Sequence, residues 1–301
     1  MIYHGFSDLA QSVIAAYSGR DPSFPRRLQF WIDHFGNQDI MSIKTDDIED
    51  GIDALVARGK FLPLTSRDSS KQKSVTRLAP TGLPLAPATI NRYVACLGTM
   101  FKDLRRMRLL PRGFLNPMRG VMRQPEGSGR TVNVTVADVQ RLVASCRVSV
   151  NRKLAALVAF ACTTGWRKGT IQSLHWGDLD LATGTADTAR TKNGTPHRAV
   201  LLPWVVQEIK RIKPDHVQSG DLVFGPKDFS KAWETALRRA DLPSNWTFHH
   251  CRHIAASVLA QSGASVPVIM SCLNQKSPSM ALRYSHLNVD TLRQNLDRAW
   301  Q

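Results

Sequence analysis

The chain has 301 residues, 43% of them hydrophobic, and sets 40 lysines and arginines against 24 acidic residues, a formal net charge of +16 with a pI near 10.2. That length allows about two domains with real cores, and that charge points to polyanionic partners, nucleic acid before anionic membrane. No run approaches the ~18 apolar residues of a membrane span, no basic leader or cleavage pattern opens the chain, and five scattered cysteines without a C-x-x-C pair argue against a disulfide framework or zinc knuckle and fit a reducing, cytoplasmic setting.

Phe24 to Phe35 spaces Leu28, Trp31, Ile32 and Phe35 on one face, with Pro25 near its start and Gly36 as a stop, which predicts a helix. Thr45 is placed to cap a second helix, with Asp46, Asp47 and Glu49 in its first turn, where carboxylates suit the dipole. That helix carries Ile48, Ile52, Leu55 and Val56 and stops at Gly59. Residues 60–86 hold Lys60, Arg67, Lys71, Lys73 and Arg77 among Ser, Thr, Pro and Gly without a sustained period. A long loop is expected there, read equally as a basic arm for DNA or as a solvated excursion.

Pro87 to Arg108 is the clearest helix of the first half, with Ile90, Tyr93, Val94, Leu97, Met100, Phe101, Leu104 and Met107 as its buried stripe. Arg92, Lys102, Arg105, Arg106 and Arg108 lie off that stripe with only Asp103 opposed, which marks them as candidate phosphate contacts. After Asn116-Pro117 a stretch rich in Gly, Ser and Arg places a linker at 122–132. One domain is thus expected over 1–121 and a second over 133–301.

The second domain opens with a capping signal, Thr135 to Asp138, before Val139, Leu142 and Val143. An apolar helix from Leu154 to Cys162 ends at Thr164-Gly165, and Trp166-Arg167 follows. Ala186 to Leu202 reads as a hairpin turning on Asn193-Gly194, because a type I′ turn needs positive φ at both positions, and it sets Lys192 beside the turn. Helices are expected from Trp204 to Ile212 and from Phe229 to Ala240. His249 and Arg252 are three apart and share one face of a helix that Gly263 is placed to end. A further helix from Val266 to Leu273, with Pro267 in its first turn, closes on Asn274, Gln275 and Lys276. Tyr284 follows, flanked by Arg283, Ser285 and His286, and an amphipathic tail from Asp290 to Trp300 carries Leu292, Leu296 and Trp300. Taken singly, His175, His197, His250 and His253 read as core or supporting side chains.

Together, His249-x-x-Arg252-His253, Leu273-Asn274-Gln275 and a tyrosine nine positions on resemble the C-terminal signature of the tyrosine recombinase (phage integrase) family. Thr164-Gly165-Trp166-Arg167, followed by Leu174-His175-Trp176-Gly177-Asp178-Leu179-Asp180, resembles that family's first arginine motif. The departures are Asn274 for glycine, Gln275 for histidine or tryptophan, and Thr170 for an acid. The first half is similar to the family's helical core-binding domain, and it starts so early that no additional arm-site DNA-binding domain is expected before it.

The resemblance implies a fold that is mainly α with a small β-sheet or hairpin, in two domains, a helical core-binding domain and a mixed α/β catalytic domain. It implies a site-specific DNA recombinase that cleaves and rejoins strands through a 3′-phosphotyrosine intermediate. Arg167, Lys192, His249, Arg252, Gln275 and Tyr284 would be the catalytic set, with no metal and no nucleotide cofactor. Implied partners are double-stranded DNA recombination sites, further copies of the chain in a tetramer assembled on DNA from a solution monomer, and accessory DNA-bending or directionality proteins. In the family a tail such as 290–300 docks on a neighbouring protomer.

The chemistry fits those residue types. Two guanidinium forks suit the non-bridging oxygens of a scissile phosphate, and each such pre-placed donor is worth on the order of 10²–10³ in rate. A phenol with an ordinary pKa near ~10 needs those cations and His249 to become a nucleophile. A lysine can protonate the departing oxygen. Gln275 can donate an amide N–H but cannot shuttle a proton, so slower cleavage than with histidine is expected. Two other readings remain: a DNA-bridging protein of the same fold with a retired site, suggested by Gln275 and Thr170, and a type IB topoisomerase. An RNA-binding role would explain the charge and leave the spaced residues unaccounted for.

Overall fold

The computed structural model describes residues 5–68, 73–127, 134–189, 195–226, 228–282, 284, 293, 296–297 and 300. It is mostly helical with two small antiparallel sheets. The chain divides into two compact units, Met1–Ser128 and Gly129–Gln301, each with its own core.

The first unit packs α1 (Phe6–Ala15), α2 (Phe24–Phe35), α3 (Thr45–Arg58) and α4 (Pro87–Arg106) around Phe6, Leu28, Trp31, Ile48, Leu55, Leu97, Met100 and Leu104. α1 was not anticipated, although Phe6, Leu9, Ala10 and Val13 recur at helical spacing and are all buried. α2 buries the four residues its spacing picks out and stops where Gly36 takes a φ of 55°. α3 is capped one residue earlier than expected. The Lys44 N–H donates to the Asp47 carboxylate at 2.7 Å, while the Thr45 hydroxyl, already in the helix, donates to the Pro117 carbonyl at 2.9 Å. Val56 is exposed and not on the buried face.

The expected loop at 60–86 is a two-stranded antiparallel ribbon, β1 (Phe61–Asp68) and β2 (Lys73–Pro80), in register from Phe61 opposite Pro80 to Asp68 opposite Lys73. A lone ribbon satisfies its backbone by pairing with itself, so its sequence need not alternate apolar with polar, and both strands are edges that tolerate Pro63 and Pro80. Its base is fastened by Arg58, whose guanidinium lies over the rings of Phe30, Tyr93 and Phe61 at 4.8, 5.4 and 5.5 Å and donates to the Tyr93 hydroxyl at 3.0 Å.

α4 ends at Arg106, and Arg108 takes a left-handed φ of 58°. Its buried face is the expected one, with Tyr93 and Met107 half-buried, and Arg92, Lys102, Arg105, Arg106 and Arg108 are exposed. Arg106 pairs with Asp103 at 3.2 Å. Buried Asn91 donates to the Gln124 carbonyl at 2.9 Å and accepts from its N–H at 2.8 Å, tying that segment back onto the helix.

The second unit is built around α6 (Leu154–Thr164), apolar all round and buried among α5 (Val136–Arg147), α8 (Pro203–Arg211) and α10 (His250–Gln261). Thr135 caps α5, its hydroxyl accepting from the Asp138 N–H at 3.2 Å. Between α6 and α8 lie α7 (Lys168–Gln172) and a sheet in the order β3 (Leu179–Asp180), β4 (Thr185–Thr188), β5 (His197–Val200). The expected hairpin is β4–β5, with an unanticipated third strand. Its turn, with Lys192, Asn193 and Gly194, lies outside the described residues. α9 (Ser230–Arg239), α11 (Val266–Leu273) and α12 (Pro278–Ala281) complete the unit. The tail from Asp290 lies outside the described residues except for Arg293, Leu296, Asp297 and Trp300. All five cysteines are free, and all but Cys272 are buried. No described helix is long and apolar enough to cross a membrane.

The ends of α5 and α8 are joined across α6 by Glu208, which is buried and accepts from Arg147 Nε at 3.0 Å and Nη2 at 2.6 Å, with Arg211 at 3.5 Å. Arg147→Ala strips this carboxylate of its two close donors, so we expect roughly 1.5–3 kcal/mol less stability. Urea denaturation of the full chain checks this, and an unchanged midpoint would mean that Arg211 alone holds the charge.

Candidate active site

α6 ends at Gly165, whose φ of 63° and ψ of 14° form a left-handed cap. A Cβ at this position would lie 2.3 Å from the Leu273 side chain and 3.2 Å from Ala255, so only glycine lets α6, α10 and α11 converge here. Arg252, in the first turn of α10, is 6% exposed and donates from Nη1 to the Gly165 carbonyl at 2.7 Å. A helix C-terminus, with its partial negative charge, thus holds a buried guanidinium. Arg167 leaves the cap in extended backbone and precedes α7.

Burial first, and then the positive charge of Arg167, push the Arg252 pKa down to about 10, while Tyr284 and Cys272 act the other way. The group stays cationic at neutral pH. Among the described residues neither Arg167 nor Arg252 meets a carboxylate within ion-pair distance. Two cations lie in one another's field with no anion between them, and a bound anion would relieve both burial and repulsion.

His249 caps α10, and its pKa is lowered by burial, then by Arg252, His250 and Arg167. It is therefore neutral where an unperturbed imidazole would begin to charge. His250 has the supporting role expected of it, buried against Trp246 with its Nδ1 accepting from the Thr247 N–H at 2.9 Å. His197 reaches from β5 to α11, its Nε2–H donating to the Ser271 carbonyl at 2.9 Å while its ring lies 5.4 Å from that of Trp166. Burial lowers its pKa, the Ser271 carbonyl opposes this, and Arg252 adds to the lowering, so this histidine also lies in the field of Arg252.

Tyr284, 4% exposed, packs beyond α12 against Ala255, Ala256, Ile269 and Leu273. Its hydroxyl meets Nδ1 of His253 at 2.5 Å. Taken alone in the sequence, His253 reads as a supporting residue. The signal that it belongs here was its spacing of four from His249, which puts both rings on one helical face, 5.4 Å apart and edge to face. Gln275 follows Asn274, which takes a left-handed φ of 46°, and its N–H donates to the Met270 carbonyl at 2.9 Å. The Gln275 Oε1 is buried with no hydrogen-bond partner. Turning the amide over puts its NH2 in that place, a donor suited to an incoming anion.

Arg167, His249, Arg252 and Tyr284 are thus brought within one another's electrostatic reach, either directly or through Arg252. Lys192 lies outside the described residues, and Arg92, Lys102, Arg105 and Arg106 of α4, with Arg108 just past its end, belong to the other unit. Thr170 offers no carboxylate, and its carbonyl accepts from the Ser173 hydroxyl at 3.1 Å. Among the described residues no group of His, Cys, Asp or Glu is arranged to hold a metal ion.

Residues 133–290 match the family model described as the phage integrase family. The integrase of Salmonella phage P22 is 24% identical over 290 residues, covering 87% of this chain and 70% of that protein. The Tn1549 transposon integrase, solved in complex with a circular intermediate DNA, superposes with a TM-score of 0.70 at 16% identity, over 97% of this chain and 98% of that one. XerH site-specific recombinase, bound to a palindromic difH substrate, gives a TM-score of 0.67 at 14% identity, over 93% of this chain and 79% of that one. At those identities the structural matches speak for the fold.

Two outcomes follow from the packing and charge of the site. Gly165→Ala adds a strained left-handed residue to an overpacked junction, which should destabilise the chain by about 2–4 kcal/mol in denaturant titrations. Folding also holds His197 and His249 below the ordinary imidazole pKa, so the folded state binds fewer protons than the unfolded chain. Stability is then complete above about pH 6.5 and falls as the pH drops through that value. Urea midpoints measured across that range without phosphate should decline on acidification, and His249→Gln should reduce the slope.

Proposed function

The chain belongs to the phage integrase family, and from that premise we propose that it is a site-specific DNA recombinase working through a 3′-phosphotyrosine intermediate. One observation carries the reading: buried Arg252 lies in the field of Arg167 and of Tyr284, and among the described residues neither arginine meets a carboxylate within ion-pair distance. A scissile phosphodiester is the anion that satisfies all three. The two guanidinium groups grip its non-bridging oxygens and gain strength as negative charge builds in the pentavalent transition state. Tyr284 Oη attacks phosphorus in line with the departing 5′-oxygen, and the new P–O bond to tyrosine forms as the P–O5′ bond breaks. His249, neutral in this field, donates a hydrogen bond to a phosphate oxygen, as does the Gln275 amide. Lys192 protonates the leaving 5′-oxygen.

The phosphotyrosine ester conserves the energy of the broken bond, so a different 5′-hydroxyl can attack it and reseal the strand without metal or nucleotide. The first unit serves as the core-binding domain and the second as the catalytic domain. Exposed Arg92, Lys102, Arg105, Arg106 and Arg108 contact phosphates of double-stranded DNA. The working assembly is a tetramer formed on two duplexes from a solution monomer, with accessory DNA-bending or directionality proteins setting the outcome. The solved structures of Tn1549 integrase and XerH bound to DNA support a DNA partner.

Gln275 keeps a second reading in view, a protein that bridges DNA sites and breaks strands slowly or not at all. Incubation with a nicked duplex of the cognate site separates the two. We expect a covalent protein–DNA adduct that Tyr284→Phe abolishes while binding persists, and faster adduct formation by Gln275→His. Binding with no adduct in the parent protein would favour bridging, and relaxation of plasmids lacking the site would favour a topoisomerase.

A further inference from the structure

We infer that His253, and not His249, is the group that takes the proton from the attacking tyrosine. This inference rests on the recombinase reading and assigns one more catalytic residue within it. His253 Nδ1 meets the Tyr284 hydroxyl at 2.5 Å, closer than an ordinary hydrogen bond, and a proton acceptor must stand within hydrogen-bond reach of the proton it removes. The geometry is held on both sides. His253 is carried one turn into α10, a helix fixed by Arg252 on the Gly165 carbonyl, and Tyr284 is seated on Ala255 and Ala256 of the same helix.

The surroundings of the two imidazoles point the same way. His249 faces the pair of arginines, and a cation pocket is a poor place to create an imidazolium. Its ring contact with His253 is edge to face at 5.4 Å, so it can steady the neighbouring ring without meeting the phenol. His253 also neighbours the His250 ring at 5.8 Å, and His250 is locked to Thr247 and Trp246, which fixes the helical turn presenting all three. The division of labour is then spatial. His249 and the arginines address the phosphate, and His253 addresses the nucleophile.

The step balances without any further reactant. As Tyr284 Oη bonds to phosphorus, its proton passes to His253 Nδ1, the electron pair of the O–H bond feeds the new O–P bond, and the P–O5′ bond breaks with its pair on the 5′-oxygen. In the reverse direction the imidazolium returns the proton as the phenolate leaves. For this the resting imidazole carries its hydrogen on Nε2, so that Nδ1 accepts from the phenol.

The test is single-turnover cleavage of a nicked duplex by the full chain, measured against pH for the parent, His253→Gln, His253→Ala and His249→Gln proteins. We expect His253→Gln and His253→Ala to bind the duplex as the parent does and to cleave about 10²-fold or more slowly. Their rates should climb with hydroxide where the parent levels off, and added imidazole should partly restore His253→Ala. His249→Gln should be slowed while keeping the parental rise and plateau. The assignment is overturned if the His253 variants, folded by circular dichroism, keep the parental pH profile, or if the plateau disappears in His249→Gln instead. If either His253 variant fails to fold, the other decides, and imidazole rescue reads the chemistry independently of stability. A parent protein that forms no adduct at any pH overturns the recombinase reading itself, and this assignment with it.

Discussion

Everything at the candidate site depends on one arrangement, a buried guanidinium held by a helix carbonyl instead of by a carboxylate. Arg252 spends one N–H on the end of α6, at the Gly165 carbonyl, and is left with its charge and most of its donors uncommitted. Had an Asp or Glu been the partner, the charge would have been neutralised within the protein and the pocket would have had no call on an external anion. Arg167 adds a second positive charge, again without a described carboxylate. The folded chain tolerates this because solvent reaches Arg167, which is only partly buried, and because the α6 C-terminus carries a fractional negative charge. The cost of the arrangement is visible in the depressed pKa of Arg252, which falls but not far enough for the group to lose its proton at neutral pH.

That carbonyl is available only because of how α6 ends. An apolar helix, buried on all sides, has to stop abruptly where α10 and α11 cross it, and the left-handed Gly165 turns the chain within one residue. The turn sends Trp166 into the core and Arg167 outward, while Leu273 of α11 closes the space a side chain would have needed. The same crossing places the last turn of α11 beside β5, where His197 binds the Ser271 carbonyl, so the sheet is attached to the site through one imidazole. Packing, backbone handedness and charge thus meet at a single junction, and a substitution chosen to test one of them necessarily disturbs the others.

Much of this was legible in the residues. Helical spacing located α2, α4, α6 and α11 to within two residues at each end, because each has one apolar face or a clear stop such as Gly36 or Gly165. The ribbon at 61–80 was not legible, since a hairpin that buries no face leaves no period-two pattern to find. α1 was missed even though its spacing was present. At the site, the order of Arg167, His249, Arg252 and Tyr284 could be read, whereas the burial of Arg252 and the anchoring carbonyl could not, because both come from contacts across 87 positions of sequence. His253 was discounted because a histidine beside an arginine carries no signal of its own, and only its contact with Tyr284 separates it from His250, which has the supporting role that was expected.

In the proposed reaction the amide at position 275 leaves His249 and His253 a larger share of the proton chemistry. An amide can donate to a phosphate oxygen but cannot exchange a proton with it on the timescale of the reaction, so any proton movement on the nucleophile side has to pass through His249 or His253. Of the two, His249 lies in the field that Arg252 and Arg167 create, and that field opposes its protonation for as long as the pocket is empty. In the proposed reaction the imidazole beside the arginines thus stays neutral and donor-ready, while the one that touches the phenol takes its proton.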